Sequence, residues 1–168
     1  MFIISEISPQ FSGKVEVAEQ MILQSKLAGG DAIKVQLYDE VQFGKERAYL
    51  SMTFNDLKRL KQFSDNLNIP LFATPFNFER LDWCLKLDLP FLKVAARMHQ
   101  EMPELVEAIM KQNKKTFVSI PSDSNPDDIE KRYSTRSSPE RTFVSNIILK
   151  GKHITLLSGT RTDFPVFG

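Results

Sequence analysis

Two lysines stand alone inside apolar runs: Lys34 within Ala32-Ile33-Lys34-Val35-Gln36-Leu37, and Lys93 within Phe91-Leu92-Lys93-Val94-Ala95. A charged amine buried in a sheet costs on the order of several kcal/mol unless it is paired or faces a ligand. Glu6, Gln36, Thr74 and Ser119 recur at corresponding points, within or just after the carboxyl halves of apolar segments. That end of the strands is where parallel α/β folds build their sites. Two amines, two hydroxyls, an amide and one carboxylate suit an anionic ligand such as a phosphate or a carboxylate, with Glu6 orienting a hydroxyl or holding a lysine. The expectation is that both amines point into one pocket rimmed by Glu6. The bland alternative is a buried Lys–Glu pair that only fastens neighbouring strands.

The elements that must position these groups alternate along the chain. A first strand, Phe2–Ile7, ends near Glu6, and a helix over about Lys14–Ala28 follows, its Val17, Met21, Ala28 and Ala18, Ile22, Ser25 rows at helical spacing, closed by Gly29-Gly30. Asp31–Leu37 reads as the second strand, Tyr38–Ser51 as a polar, aromatic-bearing loop, and Phe54–Leu67 as a helix with Thr53 as N-cap and Asp56 at its third position. Next come a strand at Pro70–Ala73, a helix at Asn77–Leu87 and a strand at Phe91–Ala95. Because these strands are continuous apolar runs, they belong to a parallel sheet with a crossover helix between neighbours. Pro103 opens a helix over Met102–Gln112 that buries Leu105, Val106, Ile109 and Met110. Thr116–Ile120 is the fifth strand, Asp127–Tyr133 a short acidic helix, and Ser134–Glu140 a loop too short to link domains. Arg141–Lys150 fits helix or strand, and His153–Leu157 is a final strand. The class is α/β with a parallel sheet, either an open doubly wound sheet or part of an eight-stranded barrel.

Composition narrows the setting. The 168 residues suffice for one domain, 1–168, with a sizeable core, and 42% hydrophobic with 26% charged residues describe an ordinary globular chain. Twenty-two Lys and Arg against 21 Asp and Glu call for neither nucleic acid nor an anionic membrane as partner. A single cysteine, Cys84, excludes an intramolecular disulfide, and the amino terminus lacks a basic leader, so the expected location is the cytoplasm. Cys84 and Trp83 read as helix packing, Lys58, Arg59 and Lys61 as a solvated face, and the thirteen phenylalanines as core filling.

Taken together, Glu6-Ile7, Ala32-Ile33-Lys34-Val35-Gln36, Ala73-Thr74-Pro75-Phe76, Lys93-Val94-Ala95 and Ser119, in this order, resemble the N-terminal part of the sialic acid synthase family over roughly residues 3 to 165. The resemblance implies an incomplete TIM-type (β/α)8 barrel of about six β/α units. It also implies condensation of phosphoenolpyruvate with an N-acetylated aldose of the N-acetylmannosamine type, C3 of the former attacking the aldehyde carbon of the latter with help from a divalent metal, Mn or Mg. On that resemblance Glu6 contacts the reacting groups, Lys34 and Lys93 hold phosphoenolpyruvate, and Gln36, Thr74 and Ser119 line the same site.

The departures carry equal information. Gln10-Phe11-Ser12-Gly13 stands where the family has Asn-His-Asn-Gly, and Ala96-Arg97-Met98 where it has Ser-Gly followed by an acid. Ile120-Pro121 replaces Thr-Gly, and Leu157-Ser158-Gly159-Thr160 with Phe164-Pro165 stands for Leu-His-Cys-Thr with Tyr-Pro. Arg97 either binds an anion or fills the pocket. Neither His99 nor His153 matches a family metal ligand, so no metal site is expected within this chain, and open barrel edges call for a second copy or a completing chain. Besides the enzyme reading, two others remain: a catalytically inactive relative that binds a phosphorylated or carboxylated small molecule or partners a complete synthase, and an unrelated phosphate-binding α/β module.

Overall fold

A computed structural model describes residues 2–112, 114–120, 141–149 and 152–157, those after Ser119 by backbone alone. The chain divides into two compact units, Met1–Pro90 and Phe91–Gly168.

The first unit runs β1 (Ile4–Glu6), α1 (Val15–Leu27), β2 (Ala32–Leu37), α2 (Glu40–Phe43), a 3₁₀ turn (Lys45–Leu50), α3 (Phe54–Asn66), β3 (Leu71–Pro75) and α4 (Phe78–Lys86). β1 pairs in parallel with β2, Glu6 opposite Lys34, and β2 pairs in parallel with β3, Lys34 opposite Phe72 and Gln36 opposite Thr74. Opposed residues of parallel strands share a face and side chains alternate. Glu6, Lys34, Gln36, Phe72 and Thr74 therefore lie on one face, and Ile33, Val35, Leu37, Leu71 and Ala73 on the other. The second set is fully buried, as are Ala18 and Ile22 of α1 and Leu57 and Leu60 of α3. α3 and α4 pack on β3, and α1 packs on α3.

Local chemistry fixes the helix starts. Thr53 Oγ1 accepts from Asp56 N (3.1 Å) while Asp56 Oδ2 accepts from Thr53 N (3.0 Å), the reciprocal cap expected from the sequence. Tyr38–Ser51, read as a loop, instead folds into α2 and the 3₁₀ turn. The signal lay in Asp39 and Gln42, which cap each other's backbone N–H groups at 2.8 and 3.0 Å.

The second unit holds β4 (Phe91–Val94), α5 (Met98–Glu101), α6 (Pro103–Met110), β5 (Lys115–Ile120), β6 (Arg141–Leu149) and β7 (Lys152–Leu157). β4 and β5 are parallel with Lys93 opposite Phe117, and β5 and β6 are parallel. Pro103 opens α6, whose Leu105, Val106, Ile109 and Met110 are buried as expected, and α6 packs on β4. Of Arg141–Lys150, ambiguous in sequence, Arg141–Leu149 forms a strand, in keeping with its β-branched residues. The last strand departs from expectation: β7 runs antiparallel to β6. Two residues separate them, whereas a parallel return needs a crossover of about a dozen. The helix read at Asp127–Tyr133, the loop at Ser134–Glu140 and the stretch beyond Leu157 lie outside the described residues.

Candidate functional site

In the first unit the carboxylate of Glu6 gathers three donors. Its Oε2 accepts from Lys34 Nζ and from Gln36 Nε2 (3.1 Å), and its Oε1 accepts from Ser8 N (3.1 Å). Parallel pairing of β1 with β2 makes this possible, because it sets Glu6 beside Lys34 on the face that also carries Gln36. The Lys34 side chain is 14% exposed and that of Glu6 31%. Burial pushes the Lys34 amine from 10.5 down to about 8, while the adjacent carboxylate pulls the other way. At neutral pH the amine remains a cation, which is what an anion receptor needs. Thr74 lies opposite Gln36 and is buried.

Sequence reasoning missed two features here. Ser8 contributes a backbone N–H, which has no side-chain signature. Past the carboxyl ends of β2 and β3, Tyr38 stacks on Phe76 (centroids 3.9 Å, planes 8° apart) and meets Phe43 edge-on at 5.0 Å. Asn77 Nδ2 donates to Asp39 Oδ2 (2.9 Å) and Gln42 Nε2 to the Phe76 carbonyl (2.8 Å), so α2 is tied to the start of α4.

In the second unit Lys93 Nζ donates to the Val94 carbonyl (2.9 Å) and to Ser119 Oγ. Lys93 and Ser119 share a face, since Lys93 opposes Phe117 and Ser119 is two residues further along β5. His99, buried on α5, places Nε2 3.1 Å from the Ser119 carbonyl oxygen. The Arg97 guanidinium faces Glu101 one helical turn on, at 3.4 Å, and is half exposed. Cys84 is buried on α4, as its packing role requires.

The described residues hold no group of three or more His, Cys, Asp and Glu placed to bind a metal ion. The divalent cation implied by the family resemblance thus has no such donor set among the described residues. No described helix is long and apolar enough to cross a membrane.

The family model of the NeuB family matches residues 42–158. The chain belongs to the NeuB family. It is similar to a pseudaminic acid synthase of Campylobacter jejuni, 26% identical in an alignment 140 residues long that covers 71% of this chain and 40% of that one. It is also similar to an N-acetylneuraminate-9-phosphate synthase of Drosophila melanogaster, 24% identical in an alignment 128 residues long that covers 64% of this chain and 34% of that one. Among solved structures, the N-acetylneuraminic acid synthetase of Leptospira borgpetersenii, in complex with citrate, superposes with a TM-score of 0.74 at 27% identity, covering 86% of this chain and 52% of that one. The NeuB family chain therefore has the TIM-type β/α fold expected of it, in incomplete form, and spans about a third to two fifths of the length of these curated relatives.

Proposed function

We propose that this chain carries the phosphoenolpyruvate-binding groups of a sialic acid synthase-type condensation, with an N-acetylated aldose of the N-acetylmannosamine type as second substrate. The observation that carries the reading is the Lys34 amine held on the Glu6 carboxylate at paired positions of adjacent parallel strands, in a chain of the NeuB family. Each unit is assigned its own anion-binding groups: in the first, the Lys34 amine with Thr74 as hydroxyl contact and Gln36 and Glu6 as orienting groups, and in the second, the Lys93 amine with Ser119 as hydroxyl contact and Arg97.

In the reaction the C3 carbon of phosphoenolpyruvate bonds to the sugar's aldehyde carbon, water adds at C2, and phosphate leaves. A second reading is favoured by Ala96 and Met98, where the family has a hydroxyl and an acid: a relative that binds a phosphorylated or carboxylated small molecule, or partners a complete synthase, without catalysis. Calorimetric titration of phosphoenolpyruvate into wild type, Lys34→Met and Lys93→Ala tests the shared part. Binding by wild type and loss in both variants is expected; equal affinity in all three refutes it. Adding N-acetylmannosamine and manganese then separates the two readings, since phosphate release means condensation and binding without release means the inactive relative.

A further inference from the structure

We propose that His99 is a positioning residue of the anion site in the second unit, fixing Ser119 so that its hydroxyl receives the Lys93 amine. The inference rests on the reading of Lys93 and Ser119 as anion-binding groups and adds a residue to that site. β4 ends at Val94, opposite Val118, so Ser119 lies one residue beyond the last β5 position paired with β4. Besides the Lys93 amine on its hydroxyl, Ser119 is met from the β4 side by the His99 ring, its Nε2 3.1 Å from the Ser119 carbonyl oxygen. A carbonyl only accepts, so Nε2 carries the proton and the tautomer is set by this bond. The ring is buried, at 8% exposure, in a position that an apolar side chain would fill without a desolvation cost. A buried imidazole spent on a backbone carbonyl acts on whatever that backbone holds, and the backbone of Ser119 holds the hydroxyl to which Lys93 Nζ donates.

The chain of contacts runs from His99 to Ser119 to Lys93, all within one unit. α5 anchors its first link: Met102 N donates to the Met98 carbonyl at 2.9 Å and Glu101 N to the Arg97 carbonyl at 3.0 Å, which holds the helix that carries the imidazole. Removing the Nε2 donor takes away the hold on Ser119 from the β4 side and leaves only its pairing with β6 opposite Val144, so the Ser119 hydroxyl and the Lys93 amine present a less fixed pair of donors to an incoming phosphate.

The test compares two polar replacements of similar size in the full chain. In His99→Gln the side-chain amide reaches as far as Nε2 and donates there; in His99→Asn it stops at the depth of Nδ1. With phosphoenolpyruvate as probe, affinity by calorimetry and the ³¹P shift of the bound phosphate are read for wild type, both variants and Lys93→Ala. Expected are a loss of about tenfold in His99→Asn, the effect of one hydrogen bond, and retention within about threefold in His99→Gln with a wild-type ³¹P shift. Equal affinity in the two His99 variants, whether wild-type or weakened, overturns the positioning role, because only the reach of the donor distinguishes them. Wild-type affinity in Lys93→Ala overturns the underlying site instead. Thermal melts of all four proteins identify a variant that fails to fold, and the Gln–Asn comparison is then repeated on phosphate titrated at a temperature below the lower melting point, with the same two outcomes decisive.

Discussion

Removing the charge pair in the first unit should change how stability depends on pH, in a direction that the burial of Lys34 dictates. Burial lowers its amine from 10.5 to about 8, so between those values the unfolded chain binds a proton that the folded chain has released. Stability contributed by this group therefore rises with pH across that window. The cost of holding the cation in place is full below about pH 8 and gone above about 10.5. At about 1.4 kcal/mol per pH unit, the displacement from 10.5 to about 8 corresponds to about 3 kcal/mol. The double variant Lys34→Met with Glu6→Gln lacks both charges but keeps an acceptor for Ser8 N, so urea denaturation of wild type and double variant at matched pH isolates the pair. The wild-type stability relative to the variant should climb by about 3 kcal/mol from pH 8 to pH 10.5, with the variant the more stable at pH 7. A flat difference, or one that falls with pH, would mean that the Glu6 carboxylate outweighs burial and that the pair is a fastening of the two strands.

Further consequences follow from single positions. Thr53→Ala removes the acceptor for Asp56 N and should cost about 1 kcal/mol in urea denaturation, with the far-UV signal of α3 retained. Gly13→Ala should cost more than about 2 kcal/mol by thermal or urea melting, because φ is +71° there and a Cβ would come within 2.0 Å of the Tyr49 carbonyl oxygen, a backbone atom that cannot swing away. Met98→Glu restores the family's acid at a position with 0% exposure, and should lower stability by more than about 2 kcal/mol rather than repair a site; a neutral result in the same melt would mean that a pocket for the acid persists.

Much of this geometry was legible because period and punctuation agreed. The apolar strands around Lys34 and Lys93, the Thr53 cap and the buried face of α6 were each marked by residues acting within a few positions of one another. Glu6, Lys34 and Gln36 could be grouped because parallel strands of like length align their carboxyl ends. Less legible was anything set by partners far along the chain. α2 is short, and its cap depends on Asp39, which is also held by Asn77 from 38 residues away. The antiparallel β7 turned on whether Arg141–Lys150 was helix or strand, a choice that apolar β-branched residues leave open. His99 gave no signal beyond its type, since its partner is a backbone carbonyl that every residue carries.

The segment after β4 differs from the family at consecutive positions, and the contacts there decide between decay and rebuilding. Substitutions that accumulate in a decaying site have no reason to share partners. Here the Ala95 N–H donates to Met98 Sδ at 3.3 Å, and the Met98 N–H returns to the Ala95 carbonyl at 3.0 Å, so the thioether closes the turn on which it sits. Met98 is fully buried, where a carboxylate would need donors that the thioether does without. The next residue, His99, reaches the Ser119 carbonyl, and Arg97 is engaged with Glu101 on the same short helix. One turn of chain thus gives Arg97 and Met98, both departures from the family, and the adjoining His99 each a named partner. On the proposed reading of Lys93 and Ser119 as anion-binding groups, these contacts support the turn that carries His99. With the family's hydroxyl replaced at Ala96 and its acid at Met98, the proposed recognition of an anion near Lys93 would rest more heavily on the amine's charge and on the position of Ser119.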